Sequence, residues 1–362
     1  MQAHEIGHWR LANQHVTGNV FASPKDVVAH MGAMQAQDYM QSVWAIGLRT
    51  QSPLLADVER AIENGDILRT WPMRGTIHFV APQHARWMLR LCGARMLAAD
   101  QSRLDNLDLT VATIMRCGDL LTDALSGGRR LSRPDIMALL ENAGISTAGQ
   151  RTYHILWYLS QLGLLCLGPM QGKQQTFVLL DEWAPNALDL SPEESLAALA
   201  RMYFTSHGPA TVQDLGWWAG ISMTEAKAAL ELVRNAFVSE TIDRKTYWMP
   251  ESLAASARPQ AAGHVLLLPG FDEFLLGYKD RGAVLAAEYA QRIVPGNNGV
   301  FQSMIVIDGQ VVGTWRRSIG KKHVEITLIP FQPLGALEDA AAEAAGAYAR
   351  FVALPLKLTI ER

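Results

Sequence analysis

The chain has 362 residues, which at about 150 residues per domain sets an expectation of two to three domains. Hydrophobic residues make up 49%, charged residues 19%, and 32 Lys plus Arg against 35 Asp plus Glu leave a net charge of −3. This composition excludes wholesale disorder and any global electrostatic pull on nucleic acid, so a nucleic-acid surface here has to be a local basic face. Cys92, Cys117 and Cys166 are far apart with no Cys-x-x-Cys, which argues for three buried, reduced thiols rather than a zinc ribbon or a disulfide framework. The polar opening Met1-Gln-Ala-His-Glu5 has no apolar signal-peptide core. The longest run without Asp, Glu, Lys or Arg, residues 152–172, is interrupted by Ser160, Gln161, Gly163, Gly168, Pro169 and Gln171. It reads as a buried helix, a Gly-Pro turn and a loop, not as a membrane span. A soluble, cytoplasmic protein is the expectation.

Taken in chain order, Ser23-Pro-Lys-Asp-Val-Val28 starts a helix, and 67–80 reads as a wing-like β segment. Residues 82–127 are helical, with Ala85, Met88, Leu89 and Cys92 on one face. Ser132-Arg-Pro-Asp-Ile136 caps another helix, Gly144-Ile-Ser-Thr147 turns the chain, 150–162 forms a third helix and 176–180 a returning strand. Ser191-Pro-Glu-Glu194 is a capping box with Pro at the first helical position. Leu196, Leu199, Ala200 and Tyr203 follow at helical spacing. Thr211 caps 212–219, a third helix covers 224–234, and strands 237–242 and 246–249 flank the turn Asp243-Arg-Lys245. Residues 250–262 are the best linker candidate. Strands follow at 264–268, 301–307, 310–315 and 323–329, with a hairpin turn at Asp308-Gly309. An Ala-rich helix covers 337–352, and an apolar strand or helix end comes after Pro355.

The recurring order of helices and hairpin, each opened by a capping Ser or Thr followed by Asp and an aliphatic residue, predicts an α+β protein. Its expected architecture is tandem winged helix-turn-helix motifs with a C-terminal small β-barrel or sheet. The expected segments are 1–81, a first winged-helix region; 82–185, a helical linker plus a second winged helix; 186–258, a third winged helix; and 259–362, a β domain with a terminal helix.

The common phosphate-loop, dinucleotide, hydrolase and zinc-protease motifs are missing. His4 and His8 are four apart, but no metal site is expected. Asp272 and Glu273, in Pro269-Gly-Phe-Asp-Glu-Phe274, have two readings, as an acid pair or, as expected here, as turn carboxylates bonded to nearby backbone or to Arg281. The unusual element is Met31-Gly-Ala-Met-Gln-Ala-Gln-Asp-Tyr-Met40. Gln35 and Gln37 are two residues apart, so a helix would splay them by about 200°, while an extended chain puts them on one face. For the two to act together, the helix after Ser23 has to break near Gly32. Downstream, Arg69-Thr-Trp-Pro-Met-Arg-Gly-Thr-Ile-His78 places Arg69, Arg74 and His78 in a β segment.

On these features the sequence resembles the winged-helix DNA glycosylases typified by AlkZ and YcaQ. The resemblance spans nearly the whole chain. It rests on the Gln-x-Gln element ahead of Trp-Pro-Met-Arg-Gly-Thr-Ile-His, the tandem winged helices and the C-terminal β domain. It implies a C-shaped body around duplex DNA, and excision of N7-alkylated guanines with, in some members, unhooking of interstrand crosslinks. Gln35 and Gln37 then occupy the catalytic positions of the Gln-φ-Gln branch, with Ala36 between them. No cofactor is implied, and the absence of a lysine from the motif implies a monofunctional enzyme. Asp38 is an alternative base, although as the next residue it faces away. DNA contacts are expected from Arg69, Arg74, His78, Arg129, Arg130, Arg133, Arg316, Arg317, Lys321 and Lys322. Each also has a plainer reading, as a salt bridge, a core histidine or a solvated hairpin edge. The expected partner is double-stranded DNA with alkylated bases, bound by a monomer at the nucleoid. The competing expectation is a non-catalytic tandem winged-helix regulator, with an orphan globular protein as the third.

Overall fold

The computed structural model describes residues 2–18, 20–256 and 263–361, so the last part of the expected linker, 257–262, lies outside the described residues. Two compact units divide the chain. One combines Met1–Val58 with Ala197–Arg362, and the other is Glu59–Leu196. The division runs through the first expected segment, whose hairpin belongs to the second unit. Among the described residues no helix is long and apolar enough to cross a membrane.

In the Glu59–Leu196 unit, helix Val111–Leu125 is followed by a two-residue strand Leu131–Ser132, helices Arg133–Asn142 and Arg151–Gln161, and the hairpin Leu165–Gln171 with Gln174–Leu179. The side chain of Ser132 caps its helix and Asp135 reciprocates, a capping box that satisfies two orphan N–H groups. Five strands run in the order Thr76–Val80, Leu68–Met73, Leu165–Gln171, Gln174–Leu179, Leu131–Ser132, with antiparallel neighbours. The core beneath them joins Ile114, Cys117, Leu121, Ile136, Leu140, Ile155, Leu159 and Phe177. Gly168 and Pro169 were expected in a turn, but they lie inside a strand, where the pairing register shifts between Leu167 and Met170. A bulge tolerates a proline that cannot donate to the ladder, so the Gly-Pro signal has a second solution in a sheet.

In the other unit, helices Pro24–Met31 and Tyr39–Gly47 flank the short strand Ala33–Gln35. Helices Val212–Ala219 and Met223–Val233, capped by Thr211 and Ser222, lead into the hairpin Phe237–Ile242 with Lys245–Pro250. An isolated bridge ties Ala210 to Trp248. The same order recurs in Glu59–Leu196, where the residue pair Leu131 and Phe177 takes that place. The C-terminal strands form one sheet in the order Leu356–Ile360, Val324–Pro330, Gln310–Ile319, Met304–Ile307, Val265–Leu268. The first pair is parallel and the rest antiparallel. Of the two forms expected, barrel or sheet, it is an open sheet: Leu356–Ile360 and Val265–Leu268 are opposite edges and do not pair. Trp44, 1% exposed, seats helix Tyr39–Gly47 here by donating its indole N–H to Leu267 O at 2.8 Å and packing against Tyr348 and Phe351. Fully burying such a ring is worth about 1.5–3 kcal/mol and fixes where the preceding segment lies.

Candidate active site

The helix Pro24–Met31 stops at Gly32, whose φ of 76° and ψ of −55° no L side chain adopts comfortably. A Cβ there would also come within 3.2 Å of Met202. The chain then runs extended through Ala33–Gln35 and bends before Tyr39–Gly47. Ala36 is fully buried, while its neighbours Gln35 and Gln37 are half-buried and exposed. The strand ends at Gln35 and Gln37 lies in the following bend, so the small Ala36 is enclosed while the glutamines on either side keep some exposure. Asp38 caps the next helix, accepting Gln41 N–H at 3.1 Å.

The turn 269–274 grips this segment from behind. Gly270 donates its N–H to Gln41 Oε1 at 3.0 Å, and Gln41 Nε2 donates to Ser303 Oγ at 3.0 Å. Glu273 accepts the Gln35 backbone N–H at 3.1 Å. Asp272 was expected to bond nearby backbone or Arg281. It does accept Phe274 N–H at 2.9 Å, but its cationic partner is Arg49, at 2.9 and 3.0 Å. Arg281 turns instead to Leu275 O and to the rings of Trp217 and Phe301. Arg49, Trp218 and His207 were not singled out as site residues from sequence. The only signal was the pair of acids set among Phe271, Phe274 and Leu275, a pattern that demands buried partners.

The basic hairpin lies in the same unit. Lys321 and Lys322 are exposed in its turn, next to the terminal pair Ile319 and Val324. Arg316 is exposed and pairs with Glu361 at 2.8 Å. Arg317 is half-buried over the Trp315 and Tyr348 rings. Burial pushes the Tyr348 hydroxyl up to about 12, opposed by the charge of Arg317 and assisted by that of Asp38. Arg317 and Asp38 therefore share one neighbourhood around Tyr348.

In the Glu59–Leu196 unit the expected residues divide. Arg69 is 5% exposed and donates to Gln175 Oε1 at 2.5 Å; His78 is fully buried, its Nδ1 against Thr76 O at 2.9 Å. Arg74 takes φ 54° in the turn between Leu68–Met73 and Thr76–Val80, its guanidinium 3.3 Å from His78 Nε2. Arg129 bonds back to Ser126 O and Asp123 O. Arg130 pairs with Glu63 at 2.6 Å and lies over Trp183. Arg133 is exposed at the start of its helix, and with Arg69, Trp71 and Tyr153 it lines a cavity of about 380 Å³.

Comparison with known proteins bears on this arrangement. Residues 28–351 match the model of the DNA glycosylase AlkZ-like family. Over a 366-residue alignment that covers 95% of each chain, the protein is 26% identical to an interstrand DNA cross-link repair glycosylase of Streptomyces sahachiroi. The structure of the Streptomyces sahachiroi DNA glycosylase AlkZ superposes with a TM-score of 0.81 at 24% identity, covering 99% of this chain and 100% of that one. The mixed helix-and-sheet fold is thus shared with AlkZ, and the chain belongs to the AlkZ-like DNA glycosylase family.

Proposed function

We propose that this chain is a monofunctional DNA glycosylase that hydrolyses the N-glycosidic bond of cationic N7-alkylated guanine in duplex DNA, with Gln35 and Gln37 holding the water. The observation that carries this reading is the break at Gly32, which releases the segment from helical geometry. Ala36 is buried, and Gln35 and Gln37 on either side of it stay half-buried and exposed. Family membership supports the reaction class.

The chemistry suits amides. N7-alkylguanine carries a positive charge and departs as a neutral base, so no strong general acid is needed. What remains is to orient a water toward C1′ and to stabilise the oxocarbenium-like sugar. Two carbonyl oxygens supply acceptors and partial negative charge for both tasks. An amide is a poor base, so uncharged lesions such as uracil should be refused. The relative's role in crosslink repair extends the proposed substrates to interstrand crosslinks joined through N7 of guanine. The repeated blocks of helices and hairpin would serve as winged helices on the duplex. Phosphate contacts would fall to the exposed Arg133, Arg316, Lys321 and Lys322, the chain acting as a monomer.

The test is a duplex with a single 7-methylguanine, incubated with protein and then heated in alkali. Strand scission at the lesion, lost in Gln35→Ala and Gln37→Ala with DNA binding retained, is the expected result. Sequence-preferring binding to undamaged DNA without base release would point to a winged-helix regulator and overturn the enzyme reading.

A further inference from the structure

We propose that Glu273 is a positioning residue for base excision, fixing the Gln35–Gln37 segment through the Gln35 backbone; this rests on the glycosylase reading above. Glu273 is 1% exposed, and three nitrogens converge on its carboxylate. Oε1 accepts the Gln35 backbone N–H at 3.1 Å, Oε2 accepts the Trp218 indole N–H at 3.0 Å, and His207 Nε2 lies 3.3 Å from Oε2. On the far side of the imidazole, Ser206 Oγ is 2.7 Å from Nδ1. Ser206 gives its hydroxyl proton to Met202 O at 2.9 Å and so acts as acceptor toward Nδ1, and the two N–H donors assigned to the carboxylate are the Gln35 backbone and the Trp218 indole, with the His207 ring packed beside them. Hydrogen bonds to an ionised acceptor are about twice as strong as neutral ones, and in a dry site they hold geometry tightly.

The frame behind the carboxylate is also fixed. Asp272, the preceding residue, is locked on Arg49. His207 is stacked on Tyr203 with centroids 4.8 Å apart. Gly277 closes the turn so tightly that a Cβ would lie 2.6 Å from Glu273 O and 2.7 Å from His207 Cδ2. Glu273 therefore cannot drift, and it holds the N–H of the residue whose side chain does the chemistry. Enclosed by protein at 1% exposure, it acts through the Gln35 backbone. A displacement of about 1 Å at a reacting group costs on the order of a hundredfold in rate, so the effect of losing this bond should appear in turnover rather than in affinity.

Three variants and three readouts test this. Glu273→Gln keeps the shape but loses the charge, and it cannot serve Gln35 and Trp218 with one carbonyl. Glu273→Asp keeps the charge but falls one methylene short of Gln35. Single-turnover release of 7-methylguanine from a duplex should fall by roughly tenfold to a hundredfold in both, with the dissociation constant for that duplex within about twofold of wild type. The backbone amide proton of Gln35, followed in ¹⁵N-glutamine-labelled protein, should move upfield in both; a packing role alone would leave it in place. Wild-type rates in both variants, or an unmoved Gln35 resonance, would overturn the assignment. Should both fail to fold, Trp218→Phe decides: removing one donor should give a smaller loss of rate, and a wild-type rate would refute the proposal. If wild-type protein releases no base, the glycosylase reading fails by itself, while the Gln35 resonance still reports whether Glu273 holds it.

Discussion

The carboxylate of Asp272 and the guanidinium of Arg49 form a two-point ion pair, at 2.9 and 3.0 Å, with neither side chain reaching solvent. Arg49 spends its remaining donors on Gln14 Oε1, Gln14 O and Ala45 O, so the charges are paired and the protons used. Such a pair contributes little over an apolar replacement of equal shape, but breaking it leaves one charge buried alone. Arg49→Met should therefore cost about 3–5 kcal/mol, read as a lower midpoint in urea unfolding. A loss below about 1 kcal/mol would show that water reaches Asp272.

Gly32→Ala tests the break that frees the two glutamines. The backbone there sits at φ 76°, and Met202 stands 3.2 Å from the added methyl. The strained conformation should cost about 1–3 kcal/mol. Because Gln35 follows within three residues, base release should fall more than stability does; single-turnover rates set against thermal midpoints would separate the two.

Stability should also depend on pH through His30. Burial above all holds its imidazole down to about 4, with the charges of His15, His207 and Arg49 adding to the effect against the Asn13 carbonyl. Between its ordinary value of 6.5 and about 4, the unfolded chain binds a proton that the folded chain refuses. The His30 contribution is thus whole above pH 6.5, is lost as pH falls toward 4, and changes no further below that. Discounted for partial exposure, it amounts to on the order of 1–2 kcal/mol. Unfolding free energies measured across that window should slope upward with pH, and His30→Gln should flatten the slope.

The cysteines should be silent until the fold opens. All three are buried and free of disulfides. Burial pushes the Cys117 thiol up to about 11 and the Cys166 thiol up to about 12. Almost no thiolate exists at pH 8, so a thiol reagent such as Ellman's should label neither in native protein and both in guanidinium. Rapid native labelling of Cys166 would contradict the packing around it.

Lys321→Ala with Lys322→Ala, at the hairpin turn, should weaken DNA binding without regard to sequence. If each lysine meets one phosphate, the slope of log affinity against log salt becomes shallower by about 0.9 per residue. Titrations at several salt concentrations check this, and an unchanged slope would remove the hairpin from the DNA interface.

Much of the fold was legible because its signals are local. The capping residues Ser132 and Thr211 start helices where expected. Asp308 and Gly309 turn a hairpin at φ 46° and 78°, and Gly32 ends its helix on schedule. Each feature is settled within a few residues by hydrogen bonds and sterics that travel with the sequence. Burial was harder to read. Arg69 and His78 carry the same letters as a surface cation and a solvated ring, yet both lie inside their unit. The composition of a strand does not say which of its faces the rest of the chain will cover.

What the amino-acid order determined alone was where the capped helices start, where Asp308-Gly309 turns a hairpin, and that a glycine stands ahead of the Gln-x-Gln run. Only the folded chain decided what surrounds that run. Glu273 meets Gln35 across 238 residues, and Asp272 meets Arg49 across 223. No local pattern encodes such partners, because a buried charge demands a counterpart without naming it. The choice falls to whichever distant group the packing of helix and sheet delivers.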